Sequence, residues 1–132
     1  MSEPNRSVSG DTLIGKYLDL PGLLARVEND RELLTELFAM FLEELPGLRK
    51  ALHDAMGIGD LPQAAKVAHT LKGMLANMSM NRGAVMAASI ETAARDGDLA
   101  EVKKAFVSFD AEIAALLTAV DAFIAGKQEC EF

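Results

Sequence analysis

The longest pattern in the chain is a run of large apolar residues that recur every three or four positions. It extends from Leu33 to Met56 and includes leucine, phenylalanine and methionine. This spacing predicts one long amphipathic helix. Asp30 precedes the run as a capping residue, and the Gly57-Ile58-Gly59 segment predicts its end.

The same apolar spacing predicts three further helices. The second begins after Asp60, the third covers about Arg82 to Arg95, and the fourth begins at Asp98 and runs to Gly126. Asp98 and Glu101 have the spacing of a capping box. The apolar seam predicted for the second helix is Ala64, Ala68, Leu71, Leu75 and Met78.

Four long helices with short connections predict an all-α fold, an antiparallel up-down four-helix bundle. The apolar stretch from Thr12 to Leu24, which contains Pro21, predicts a short extra N-terminal helix. We therefore expect an N-terminal tail at residues 1–10, a bundle at residues 11–126 and a C-terminal tail at residues 127–132.

Charge and composition narrow the function. The chain has 13 basic and 20 acidic residues, a net charge of −7, which disfavours nucleic acid and anionic membranes as partners. Cys130 is the only cysteine, so the chain cannot form an internal disulfide. No apolar run approaches the roughly 18 residues of a membrane span, and the first ten residues show no secretory signal. We expect a soluble, cytoplasmic monomer.

His69 is the most promising chemical group. At about 100° per residue, its side chain points roughly 140° away from the predicted seam, and Gly73 points roughly 180° away. The imidazole should therefore project into solvent. A glycine inside a helix costs about 1 kcal/mol relative to alanine. Gly73, with Ala65 and Ala76, therefore predicts a low surface that a partner approaches closely.

An exposed neutral imidazole can act as a nucleophile, and Lys72 lies three residues further along the same helix. A lysine there could stabilise an anion that forms on the ring. His53 reads as a surface residue. A di-iron bundle requires glutamate three residues before histidine, but lysine precedes both His53 and His69 at that distance. An exposed site does not exclude water, so a partner protein must complete it.

The residues around His69 also resemble a known family. The run Ala68-His69-Thr70-Leu71-Lys72-Gly73, followed by Ala76-Asn77, is similar to the signature of histidine phosphotransfer (HPt) domains. Gly59-Asp60 and the stretch Ile90 to Asp98 resemble the flanking segments of that family. The resemblance covers about residues 18–125. The chain differs from the family at Ser79-Met80, where Gly-Ala is frequent.

The resemblance implies a carrier that moves a phosphoryl group between receiver-domain aspartates of a two-component phosphorelay. His69 would accept the phosphoryl group, Lys72 would stabilise its oxygens, and Gly73 would leave room for the receiver. Glu91 and Arg95 match positions of polar groups around the histidine, although Glu91 could equally be a solvated acid and Arg95 could equally serve the C-terminus of its own helix. The implied partners are response-regulator receiver domains and a sensor histidine kinase, with magnesium on the receiver and no cofactor of the chain's own. The alternative is a phosphate-blind bundle that binds or inhibits a kinase or receiver.

Overall fold

The computed structural model describes the backbone of residues 11–129 and the side chains of residues 11–126, and this part of the chain is helical without strands. A short helical turn at residues 11–14 precedes five helices. They are α1 (Leu20–Arg26), α2 (Arg31–Gly57), α3 (Leu61–Asn77), α4 (Asn81–Arg95) and α5 (Leu99–Glu129). The predicted all-α fold with a short N-terminal helix is confirmed.

Aspartate caps start most of these helices. The Asp30 carboxylate accepts a hydrogen bond from the Leu33 amide at 3.0 Å, and the Asp60 carboxylate accepts one from the Gln63 amide at 3.1 Å. Asp98 accepts from the Glu101 amide at 3.0 Å in the same way. Only this half of the predicted capping box forms, because the Asp98 amide donates to the Ala93 carbonyl instead. Each cap satisfies a backbone donor that the helix itself leaves without a partner.

Short connections at residues 58–60, 78–80 and 96–98 join the four long helices. Helix α3 packs against α2 and α4, and α5 packs against α4 and α2. Helices α3 and α5 are therefore diagonal to each other, and the arrangement is the predicted bundle.

The predicted seams form one buried core. Its largest fully enclosed side chains include Phe38, Leu71, Leu75, Phe109 and Ile113. One detail differs from the sequence pattern. Leu33, the first residue of the apolar run predicted for α2, is 41% exposed.

The C-terminal end of α3 is held by the N-terminal segment. The Arg26 guanidinium donates to the Asn77 carbonyl at 2.6 Å and to the Ser79 hydroxyl at 2.9 Å. Ser79 has φ +60°, a left-handed conformation that glycine adopts more easily. The helix therefore ends sharply although the chain has serine where the family often has glycine.

Helix α5 continues beyond the expected end at Gly126 and reaches Glu129. One glycine costs only about 1 kcal/mol in a helix, so Gly126 alone is a weak stop signal. The tail expected at residues 1–10 lies outside the described residues, as do the last three residues of the tail expected at 127–132. No helix in the described part of the chain is both long and apolar enough to cross a membrane.

Candidate functional site

His69 stands on the outward side of α3, near the middle of the helix. Its neighbours Ala68 and Leu71 are fully buried, whereas 61% of the His69 side chain is exposed. The sequence pattern predicted this orientation. The rigid helix therefore presents the imidazole to anything that approaches this surface.

A buried carboxylate on the neighbouring helix holds the histidine. Glu91 of α4 is 7% exposed and is the one buried charged residue in the described part of the chain. Its Oε2 atom lies 3.1 Å from His69 Nδ1 and accepts hydrogen bonds from Arg95 Nε at 3.0 Å and an Arg95 terminal nitrogen at 2.6 Å. Its Oε1 atom lies 3.2 Å from Lys72 Nζ. One carboxylate thus connects all the polar residues that the sequence associated with His69.

The ionised form of Glu91 is strongly favoured. Burial alone would raise the pKa of this carboxyl group, but the hydrogen bonds from Arg95 and Lys72 outweigh it. Together with the charges of Lys72 and His69, they lower the pKa of Glu91 from 4.5 to about 2. Glu91 is therefore an anion throughout the neutral range.

The charge of Glu91 determines how the imidazole is oriented. An ionised carboxylate can only accept hydrogen bonds, so His69 Nδ1 must carry the hydrogen in this contact. In a neutral imidazole the other nitrogen, Nε2, then holds a free lone pair. Nε2 has no hydrogen-bond partner among the described residues. The site therefore presents an oriented nucleophilic nitrogen to the outside.

The small residues near His69 are placed as follows. A Cβ atom added to Gly73 would meet nothing within 4 Å, so no contact inside the protein requires glycine there. Ala76 is exposed, about two turns beyond His69. Ala65 is only 6% exposed and is the floor of a shallow depression rather than part of the open surface. We call the surface formed by His69, Lys66, Lys72, Gly73, Ala76 and Arg95 the His69 face.

The sequence identified the residues of this site, but it missed how one of them is arranged. Treating Glu91 as a solvated acid is wrong, because the side chain is enclosed and binds three partners. The four-residue interval between Glu91 and Arg95 was the available signal for an ion pair. His53 lies elsewhere, on α2 with its ring 5.8 Å from that of Phe106 on α5. Among the described residues, no group of three histidine, cysteine or acidic side chains could hold a metal ion.

The fold and the site define a helical-bundle protein with one exposed, oriented histidine. Residues 36–123 match the family model of the Hpt domain, and the chain belongs to this family. Hpt domains are phosphotransfer modules of phosphorelays rather than kinases, and they interact with other phosphorelay components. A comparison with curated proteins and a comparison with solved structures each gave no match.

Proposed function

We propose that the protein relays a phosphoryl group between the aspartates of two receiver domains through a phosphohistidine at His69. The observation that carries the proposal is the contact between His69 Nδ1 and the buried Glu91 carboxylate at 3.1 Å. It leaves Nε2 as the outward nucleophile on an exposed ring. No other imidazole in residues 11–126 contacts a buried acid.

The transfer follows from this geometry. The Nε2 lone pair attacks the phosphorus atom of a receiver aspartyl phosphate, the N–P bond forms, and the P–O bond to the aspartate breaks. The aspartate leaves as a carboxylate. Because Nδ1 keeps its hydrogen, the phosphorylated ring is cationic, and the Glu91 carboxylate faces this charge. Attack by the aspartate of a second receiver reverses the same bonds.

Lys72 and Arg95 supply positive charge to the phosphoryl group in this scheme. Lys72 is 38% exposed and Arg95 is 62% exposed, so both side chains reach the surface while they contact Glu91. Each of these two side chains has N–H donors that its contact with Glu91 does not use. We assign Lys72 to the phosphoryl oxygens, because it projects from the same helix as His69 one turn further on.

The proposal assigns magnesium to the receiver domain, because a receiver that carries the phosphorylatable aspartate can hold the cation with its own carboxylates. The partners are response-regulator receiver domains and, upstream, a sensor histidine kinase that supplies the phosphoryl group. The chain acts as a phosphocarrier in the cytoplasm, and we expect it to work as a monomer.

The test is transfer of labelled phosphate from a phosphorylated receiver domain to the wild-type protein, to His69→Gln and to His53→Gln. His53 is the matched control, because its side chain is exposed to a similar extent, at 66%. It lies on α2 beside Phe106 of α5, whereas His69 lies on α3 beside α4. We expect acid-labile, base-stable label on the wild type and on His53→Gln, and none on His69→Gln. Label that persists on His69→Gln would contradict the assignment.

The second candidate is a bundle that binds a receiver or kinase without accepting phosphate. The His69 face supports partner binding, because Gly73 has open space around it. Measurable receiver binding without label on the wild type, across several competent receivers, would favour this candidate.

A further inference from the structure

The charge around His69 is opposite to that of the whole protein. The chain carries a net charge of −7. At the His69 face, however, three cations lie close to the histidine, namely Lys66, Lys72 and Arg95. The carboxylate among them, Glu91, is buried below the surface. A partner that approaches this face therefore meets positive charge on a protein that is otherwise acidic.

Lys66 differs from the other two cations. Lys72 and Arg95 both form ion pairs with Glu91. Lys66 is exposed, and no carboxylate of the described residues lies within ion-pair distance of its ammonium group. It precedes His69 by three residues, so the two side chains are neighbours on the surface of α3. Its charge is therefore free to interact with a partner beside the nucleophile.

A shallow apolar depression adjoins Lys66. Leu61, Pro62 and Ala65 line it from α3, and Ala94 lines it from α4. Lys66, Arg95 and Gly97 complete the lining, and the side chains of Lys66 and Arg95 are exposed. An apolar floor with a cationic rim suits a partner that presents an apolar side chain among carboxylates.

We propose that Lys66 is a docking cation that attracts the acidic face of the phosphorylated receiver and orients it over His69. The inference rests on the proposed function, since it concerns the partner of the same site. The receiver has the required charge, because its magnesium-binding carboxylates and the aspartyl phosphate together carry more negative charge than the bound Mg²⁺ offsets. The negative net charge of the chain repels an acidic partner on average, so the cations near His69 favour docking at this face.

The physical consequence is an effect on encounter rather than on chemistry. A charge at the rim of an interface changes the association rate and its salt dependence, whereas the step after docking is unaffected. Salt largely screens interactions between exposed charges that lie more than a Debye length apart, about 8 Å at physiological ionic strength. Lys66 should therefore matter most at low salt and at low receiver concentration.

The test uses the phosphorylated receiver domain that labels the wild-type protein fastest. Transfer rates are measured against receiver concentration, at low and high salt, for the wild type, Lys66→Gln, Lys66→Glu and Lys104→Glu. Lys104 is the matched control, because it is exposed on α5, which is diagonal to α3. Its replacement changes the net charge by the same amount. Circular dichroism verifies that each variant is folded.

We expect Lys66→Glu to lower the second-order transfer rate about tenfold at low salt, with a smaller loss for Lys66→Gln and little loss for Lys104→Glu. High salt should reduce the difference, and the rate at saturating receiver should be unchanged. Equal losses of transfer rate for Lys66→Glu and Lys104→Glu would overturn the docking role of Lys66 but not the proposed function. A loss seen only in the rate at saturating receiver would do the same. Absence of label on the wild type would instead overturn the proposed function.

Discussion

Replacing Gly73 with alanine should make the protein more stable and a poorer phosphocarrier. Gly73 lies inside α3, where glycine has no packing role, because an added Cβ atom meets nothing within 4 Å. Alanine reduces the conformational freedom of the unfolded chain and favours the helix by about 0.5–1 kcal/mol. No clash opposes this gain. The melting temperature should therefore rise by about 2–4 °C.

The same methyl group should obstruct the receiver. Gly73 is one turn beyond His69 on the same exposed side of the helix, where a partner must come close for in-line attack. A displacement of about 1 Å can cost about a hundredfold in rate. We expect transfer from a phosphorylated receiver to be about ten- to a hundredfold slower for Gly73→Ala.

Gly47→Ala is the matched control. Gly47 is exposed inside α2, and a Cβ atom added there also meets nothing within 4 Å. It should show a similar thermal gain and unchanged transfer. Thermal denaturation followed by circular dichroism and a single-turnover transfer assay give the two readings. Unchanged transfer in Gly73→Ala would refute the reasoning, because the open backbone would then have no part in docking.

Three further predictions concern stability. Glu91 has a folded pKa of about 2, below its ordinary 4.5, so its stabilisation is complete above about pH 4.5 and is lost as the pH falls towards 2. The partners of Glu91 are exposed, and solvent screening reduces the stabilisation that they provide. Urea unfolding of the wild type should therefore show the free energy of unfolding falling by about 1–2 kcal/mol over this pH range, and Glu91→Gln should not show this fall. Ser79→Val places a β-branched residue at φ +60° and removes the hydroxyl that accepts from Arg26, so it should cost about 1–2 kcal/mol in urea unfolding, whereas Ser89→Val on exposed α4 surface should be near neutral. Leu71→Ala in the core should cost about 3 kcal/mol by the same measurement.

Each of these has an outcome that would contradict it. An identical acid profile for wild type and Glu91→Gln would show that the carboxylate is not held as described. Equal costs at Ser79 and Ser89 would remove the argument from the left-handed backbone. A Leu71→Ala variant as stable as the wild type would contradict the enclosed packing of α3.

The sequence predicted the helices because their signals are local. An apolar residue every three or four positions and an aspartate before the first turn are both visible in the chain, and both Asp30 and Asp60 cap as expected. The end of α5 was misplaced because one glycine costs only about 1 kcal/mol inside a helix and is therefore a weak stop signal. Leu33 was misassigned because it and Leu34 point about 100° apart on the helix, and only Leu34 is enclosed.

The site could be predicted only in part. The direction of His69 follows from helix geometry alone, so the sequence placed it in solvent. The enclosure of Glu91 depends on how closely α3 and α4 pack, and its three partners come from both helices. The contact of Arg26 with Asn77 spans 51 positions and has no local signal at all.

The most direct test of the account is to locate the phosphoryl group on the protein after transfer from a receiver. Nitrogen–phosphorus couplings in an NMR spectrum of the protein labelled at histidine nitrogens would identify both the residue and the ring atom. We predict a single phosphorylated nitrogen, Nε2 of His69, with Nδ1 still protonated beside Glu91. A phosphoryl group on Nδ1 of His69, or on His53, would contradict it.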